Sequence, residues 1–143
     1  IRKLPGIGPY TTGAISSIAF GLPEPIVDGN VTRILTRIFG IDKNPKDKAT
    51  QIKLWSLAKT LVCSTEDCSS LNQSLMELGA TVCHVRKPEC HNCPVMRSCI
   101  TKRKNMIHLV PAKGKPTRHE EKEIEVYVLF RRRNLLLQKV VMV

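Results

Sequence analysis

Three groups of residues in this chain have the types and spacing to do chemistry. Cys83, Cys90, Cys93 and Cys99 follow one another as C-x6-C-x2-C-x5-C. Four thiolates this close in sequence make either a structural zinc site or an iron–sulfur site. The loop that carries them has too few apolar residues to fold without a crosslink or a metal. Upstream, Leu4-Pro5-Gly6-Ile7-Gly8 is a tight turn, and Pro9 is placed for the first turn of a helix. Backbone N–H groups at such a turn point outward, and with the positive end of the following helix they suit a phosphate. Glycine is expected there because a side chain would hold the phosphate away and because the turn needs unusual dihedral angles. The third group is a single carboxylate, Asp28, in Ile26-Val27-Asp28-Gly29-Asn30-Val31 just ahead of a helix. Taken alone, Asp28 and Asn30 are both ordinary helix caps.

Charge narrows the choice of partner. The 143 residues carry 23 Lys and Arg against 12 Asp and Glu, a net charge of +11, which favours a polyanion and above all nucleic acid. Aromatic residues are only 4% of the chain, too few for a stacked-ring surface of the kind that binds single strands. No apolar stretch is long enough to cross a membrane. The cysteine crowding and the lack of a secretory signal favour metal binding over a disulfide framework. Cys63 and Cys68 stand apart and read as unligated thiols. The chain starts at Ile1 and ends in an apolar run, Val140 to Val143, so it reads as a piece cut from a longer protein.

The elements that must position these groups are mainly helical. After Pro9, the apolar residues Ala14, Ile15, Ile18 and Ala19 recur at helical spacing until Gly21 to Pro25 stop the run. A second helix is expected from about Asn30 to Phe39, with Val31, Ile34, Leu35 and Ile38 as its stripe and Gly40 closing it. A third spans roughly Lys48 to Val62 with Leu54, Leu57, Ala58 and Leu61 on one face. A fourth follows Ser69 or Ser70, with Leu71, Leu75, Leu78 and Val82 inward. Residues 101–122 hold seven Lys or Arg together with Pro111, Gly114 and Pro116, and read as a basic linker. Beyond them Ile124, Val126, Val128 and Phe130 are strand formers, and Arg131 to Asn134 would turn the chain into Leu135-Leu136-Leu137 as a β-hairpin.

Leu-Pro-Gly-Ile-Gly-x-x-Thr resembles the helix-hairpin-helix of the DNA glycosylase superfamily that includes endonuclease III and MutY. Val27-Asp28-Gly29-Asn30-Val31, twenty residues downstream, is similar to the MutY branch, as is Asn72-Gln73-Ser74-Leu75-Met76-Glu77-Leu78-Gly79-Ala80 leading into the cysteines. Ser17-Ile18-Ala19-Phe20-Gly21 and Met76 to Cys83 look closer to animal versions than to bacterial ones. The resemblance covers residues 1–100 well and the tail loosely.

It implies a monofunctional adenine DNA glycosylase that flips adenine from a duplex opposite 8-oxoguanine or guanine and hydrolyses its N-glycosidic bond. Asp28 would be the catalytic carboxylate beneath the sugar, where an oxocarbenium-like cation develops. The general acid would be a glutamate upstream of Ile1, so that the piece alone is inactive. Leu4, Pro5, Gly6, Ile7, Gly8, Tyr10 and Thr11, with Arg86, Lys87 and His84 on the cysteine loop, would face DNA. Bifunctional relatives carry a lysine at position 10 that forms a Schiff base, and Tyr10 argues against strand cleavage. Pro9 stands where an arginine is common.

The resemblance also implies a 4Fe-4S cluster on Cys83, Cys90, Cys93 and Cys99. It divides the chain into a glycosylase domain over 1–100 with its cluster loop at 83–99, a linker over 101–122, and the first hairpin of a Nudix-like domain over 123–143. A monomer in the nucleus or mitochondrion is expected with it. Two other readings stand beside this one: an endonuclease III-type glycosylase and lyase, and a non-catalytic DNA-binding module in which Asp28 is only a cap and the cysteines hold zinc.

Overall fold

The computed structural model describes residues 1–112 together with Phe130, Arg131, Asn134 and Leu135. Pro9 opens α1 (Pro9–Ala14), and the chain then widens into a π turn over Ile15–Ala19. The apolar spacing of Ala14, Ile15, Ile18 and Ala19 is not what faces inward. Gly13, Ser16 and Ser17 are buried, while Ile18 and Ala19 are exposed. The cause is close approach. A Cβ on Gly13 would sit 2.1 Å from the Pro25 carbonyl oxygen, so only glycine lets α1 lie against the segment around Pro25. The Ser17 hydroxyl closes the turn by donating to the Gly13 carbonyl at 2.8 Å.

Helix α2 (Gly29–Ile38) is the centre of the fold and follows the expected stripe: Val31, Ile34 and Leu35 are almost completely buried. They pack with Leu54 and Ala58 of α3 (Lys48–Cys63), Leu75 of α4 (Cys68–Thr81), and Val27 and Ile41 from the flanking segments. Helix α4 starts earlier than its serines suggest. Asp67 is its cap, accepting from the Ser70 amide at 2.9 Å. Ser70, first through its side chain and then through this amide, holds the Asp67 carboxyl below its ordinary value of 3.8. A carboxylate with a lowered folded-state pKa adds stability above its unfolded pKa and loses it as pH falls through the folded one. Replacing Asp67 with Ala should therefore lower the melting temperature at pH 7 by more than at pH 2.5. A denaturation series across that range checks it.

Past α4 the chain turns through two short 3-10 segments, Cys90–Asn92 and Met96–Ser98, into α5 (Ile100–Arg103). Within residues 101–110, read as the start of the linker, Thr101 and Val110 are each 1% exposed, while 102–105 and 108–109 are exposed. Residues 113–122 lie outside the described residues, as do Ile124, Val126 and Val128. Strands β1 (Phe130–Arg131) and β2 (Asn134–Leu135) pair antiparallel, Phe130 with Leu135 and Arg131 with Asn134, and the expected turn between them lies outside the described residues.

Candidate functional site

Asp28 is the N-cap of α2. One carboxylate oxygen, Oδ1, accepts from the Val31 amide at 2.7 Å. The other has no protein partner among the described residues, and the side chain is half-exposed. The capping role is therefore real, and it leaves one oxygen for an external group. Asp28 also lies at the positive end of a ten-residue helix, a favourable place for an anion.

The backbone that leads to Asp28 is gripped from several sides. Lys59 of α3 donates to the Pro23 carbonyl at 2.7 Å and pairs with Glu24 at 2.9 Å. The buried Cys68 thiol donates to the Leu22 carbonyl at 3.2 Å. Asn72, 1% exposed, bonds the backbone at both Glu24 and Ile26. From the opposite side Gly13 presses on Pro25. The helix behind the glycine turn and the irregular segment that ends in Asp28 are thus in direct contact.

The turn itself separates the two reasons for glycine. Gly6 has φ +81°, a conformation that side chains rarely adopt. Gly8 has an ordinary φ of −85° and open space where a Cβ would stand, so nothing in the folded chain requires glycine there. Among the described residues the amides of Gly8, Tyr10 and Thr11 donate to no group of the chain. Leu4 and Tyr10 are exposed beside them. The hairpin also walls an open hollow with Arg2, Pro9, Thr12, Trp55 and Lys59; Asp28 does not line it.

All four cysteines of the C-x6-C-x2-C-x5-C set line one cavity, closed by Ile34, Ile38 and Met96. Among the described residues no three His, Cys, Asp or Glu side chains approach closely enough to hold one metal ion. Burial pushes the Cys93 thiol up; the Val95 amide opposes this, and the charges of Cys83, Cys99 and Cys90 add to the rise. Arg86 and Lys87 are exposed on the loop, and His84 is half-exposed.

Two arginines of α2, one helical turn apart, tie this loop to the helix that Asp28 caps. Arg33 donates to the Cys83 carbonyl at 2.8 Å, to the Gly79 carbonyl at 2.8 Å and to Asn30 Oδ1 at 2.7 Å. Arg37 is 2% exposed, yet among the described residues it pairs with no carboxylate. It donates to the carbonyls of His84 at 2.7 Å, Val85 at 2.9 Å and Val110 at 3.0 Å, and to Cys83 Sγ at 3.2 Å. The chemical signal for these roles was present in the sequence, as two arginines at i and i+4 on a helix with an apolar stripe, but it points equally to a solvated face.

Among solved structures the chain superposes on that of a thermostable thymine-DNA glycosylase with a TM-score of 0.62, at 38% identity over 73% of this chain and 47% of the other. The fold is thus that of the helix-hairpin-helix DNA glycosylases. No family model matches the chain. Curated proteins sharpen the class. The adenine DNA glycosylase of Arabidopsis thaliana is 52% identical over 99 residues, 69% of this chain and 16% of that protein. The human adenine DNA glycosylase is 47% identical over 98 residues, 68% and 18% of the two chains. That of Buchnera aphidicola (Schizaphis graminum strain) is 39% identical over 129 residues, 90% and 37%. The chain is homologous to the adenine DNA glycosylases, of which it spans under a fifth in the plant and human proteins. Its likeness to animal sequences over bacterial ones extends, at higher identity, to a plant one.

Proposed function

We propose that this segment carries the DNA-gripping turn and the catalytic carboxylate of an enzyme that releases adenine from duplex DNA opposite 8-oxoguanine or guanine. One observation carries the reading furthest: Asp28 keeps a carboxylate oxygen free at the end of a segment held against the hairpin helix. Gly8, Tyr10 and Thr11 offer unpaired amides to a phosphate, and the glycine at 8 leaves it room. Asp28 then faces the sugar of the flipped nucleotide. As the bond from C1′ to the base nitrogen lengthens, positive charge spreads over C1′ and the ring oxygen, and the carboxylate stabilises it. The departing adenine takes a proton from a general acid, the upstream glutamate that the resemblance implies. Water adds to C1′ and leaves an abasic sugar in an intact strand. Tyr10 cannot form the Schiff base that would lead to strand scission.

The four cysteines line one cavity, and their C-x6-C-x2-C-x5-C spacing supports a 4Fe-4S cluster held by Cys83, Cys90, Cys93 and Cys99. When bound, a cluster supplies structure, closing the loop that presents Arg86 and Lys87 to the phosphate backbone. Burial raises the Cys93 thiol, and the positive charge of a bound metal group would favour its thiolate. Residues 123–143 would begin a Nudix-like domain that reads the opposite base. A monomer acting on nuclear or mitochondrial DNA completes the proposal.

A duplex with adenine opposite 8-oxoguanine tests the reaction. The full-length protein should give a strand that stays intact until treated with alkali. A strand nicked without alkali would instead favour the endonuclease III-type lyase, and no release at all, with zinc in place of iron, would favour the non-catalytic module.

A further inference from the structure

The segment that ends in Asp28 is irregular backbone buried between two helices. Buried amides and carbonyls that find no partner destabilise the fold. One side chain answers two of them. The Ile26 amide donates to Asn72 Oδ1 at 3.2 Å, and Asn72 Nδ2 donates to the Glu24 carbonyl at 2.9 Å. A carboxamide is the side chain of this size that accepts with one end and donates with the other. Asn72 comes from α4, 46 positions away from Ile26 in the chain, so the contact is tertiary rather than local. It grips Glu24 and Ile26 on either side of Pro25, the residue on which Gly13 of the hairpin helix bears. Asp28 follows two residues after Ile26.

We propose that Asn72 is a positioning residue for the reaction, fixing the Glu24–Ile26 strut that sets the Asp28 carboxylate relative to the phosphate-binding turn. This rests on the reading of Asp28 given above. Asn72 acts through the strut and touches no substrate. The charged groups beside it, Glu24 and Lys59, pair with each other rather than with the amide. A displacement of about 1 Å at a reacting group costs on the order of 100-fold in rate, so small slippage of the strut is enough to matter.

The test uses the full-length, cluster-loaded protein, an adenine:8-oxoguanine duplex under single-turnover conditions, and three variants: Asn72→Leu, Asn72→Asp and Asp28→Asn. Asn72→Leu should slow adenine release by about 10- to 100-fold with duplex affinity and iron content unchanged. In Asn72→Asp the ionised carboxylate opposes the Glu24 carbonyl, whereas the protonated form restores a donor and an acceptor. Its rate relative to the unsubstituted protein should therefore climb as pH is lowered. Release by Asn72→Leu within about twofold of the unsubstituted rate, or a parallel loss of rate, affinity and iron, overturns the positioning role. If Asn72→Leu does not fold, Asn72→Asp decides alone, and a rate ratio flat with pH overturns it. Asp28→Asn separates the two ideas: inactive with fully active Asn72 variants, only the positioning role falls; active, the reading of Asp28 falls.

Discussion

Replacing Asp28 with Asn should cut the rate of adenine release by about 10³-fold, the scale for losing one preorganised electrostatic group, and leave duplex binding nearly unchanged. The substitution is selective because asparagine caps a helix as well as aspartate does. Its Oδ1 can still accept from the Val31 amide, so α2 keeps its start. What disappears is the charge opposite the sugar, which matters only as the cation forms. The expected loss corresponds to about 4 kcal/mol of transition-state stabilisation. Single-turnover release measured beside duplex affinity checks it. Loss of both together would make Asp28 a structural cap and nothing more.

Replacing Arg37 with Leu should destabilise the protein by about 3–5 kcal/mol, the upper range for breaking a buried hydrogen-bond network. Stability of a domain is about 5–15 kcal/mol in all, so this is a large share of it. The guanidinium satisfies carbonyls at His84, Val85 and Val110, and leucine would strand all three without water. It also donates to Cys83 Sγ, the first cysteine of the proposed cluster set, and helps hold that residue in place. Iron should therefore be lost along with stability. Denaturation followed by circular dichroism and by visible absorption of the iron–sulfur chromophore measures both. An Arg37→Leu protein with full iron and an unchanged midpoint would contradict the role.

Much of the frame was legible in the sequence because it is written in short-range patterns. The stripe of Val31, Ile34 and Leu35 repeats at helical spacing and is the buried face of α2. Helix α3 runs almost as its apolar residues require. The spacing of four cysteines foretold that one loop would gather them. What escaped the sequence depends on which surfaces meet. Ile18 outscores Ser17 as a core residue by hydropathy, but α1 must approach the Pro25 backbone, and only Gly13 with small neighbours allows it. The same rule hid Asn72, Arg33 and Arg37. Each is polar and would ordinarily be placed in solvent, and each is explained by backbone groups brought up from distant parts of the chain. Asp67 was missed for a simpler reason: two serines offered nearer caps.

The relation between the glycine turn and the Asp28 carboxylate can be seen directly. The measurement is a crystal structure of the full-length protein on a duplex whose target sugar is replaced by a pyrrolidine, its protonated ring nitrogen standing in for the developing cation. The account predicts that the free oxygen of Asp28 lies within hydrogen-bonding distance of that nitrogen while the amides around Gly8 hold a phosphate of the same strand. A pyrrolidine seated elsewhere, with Asp28 bonded only to Val31 and turned away from the DNA, would contradict it.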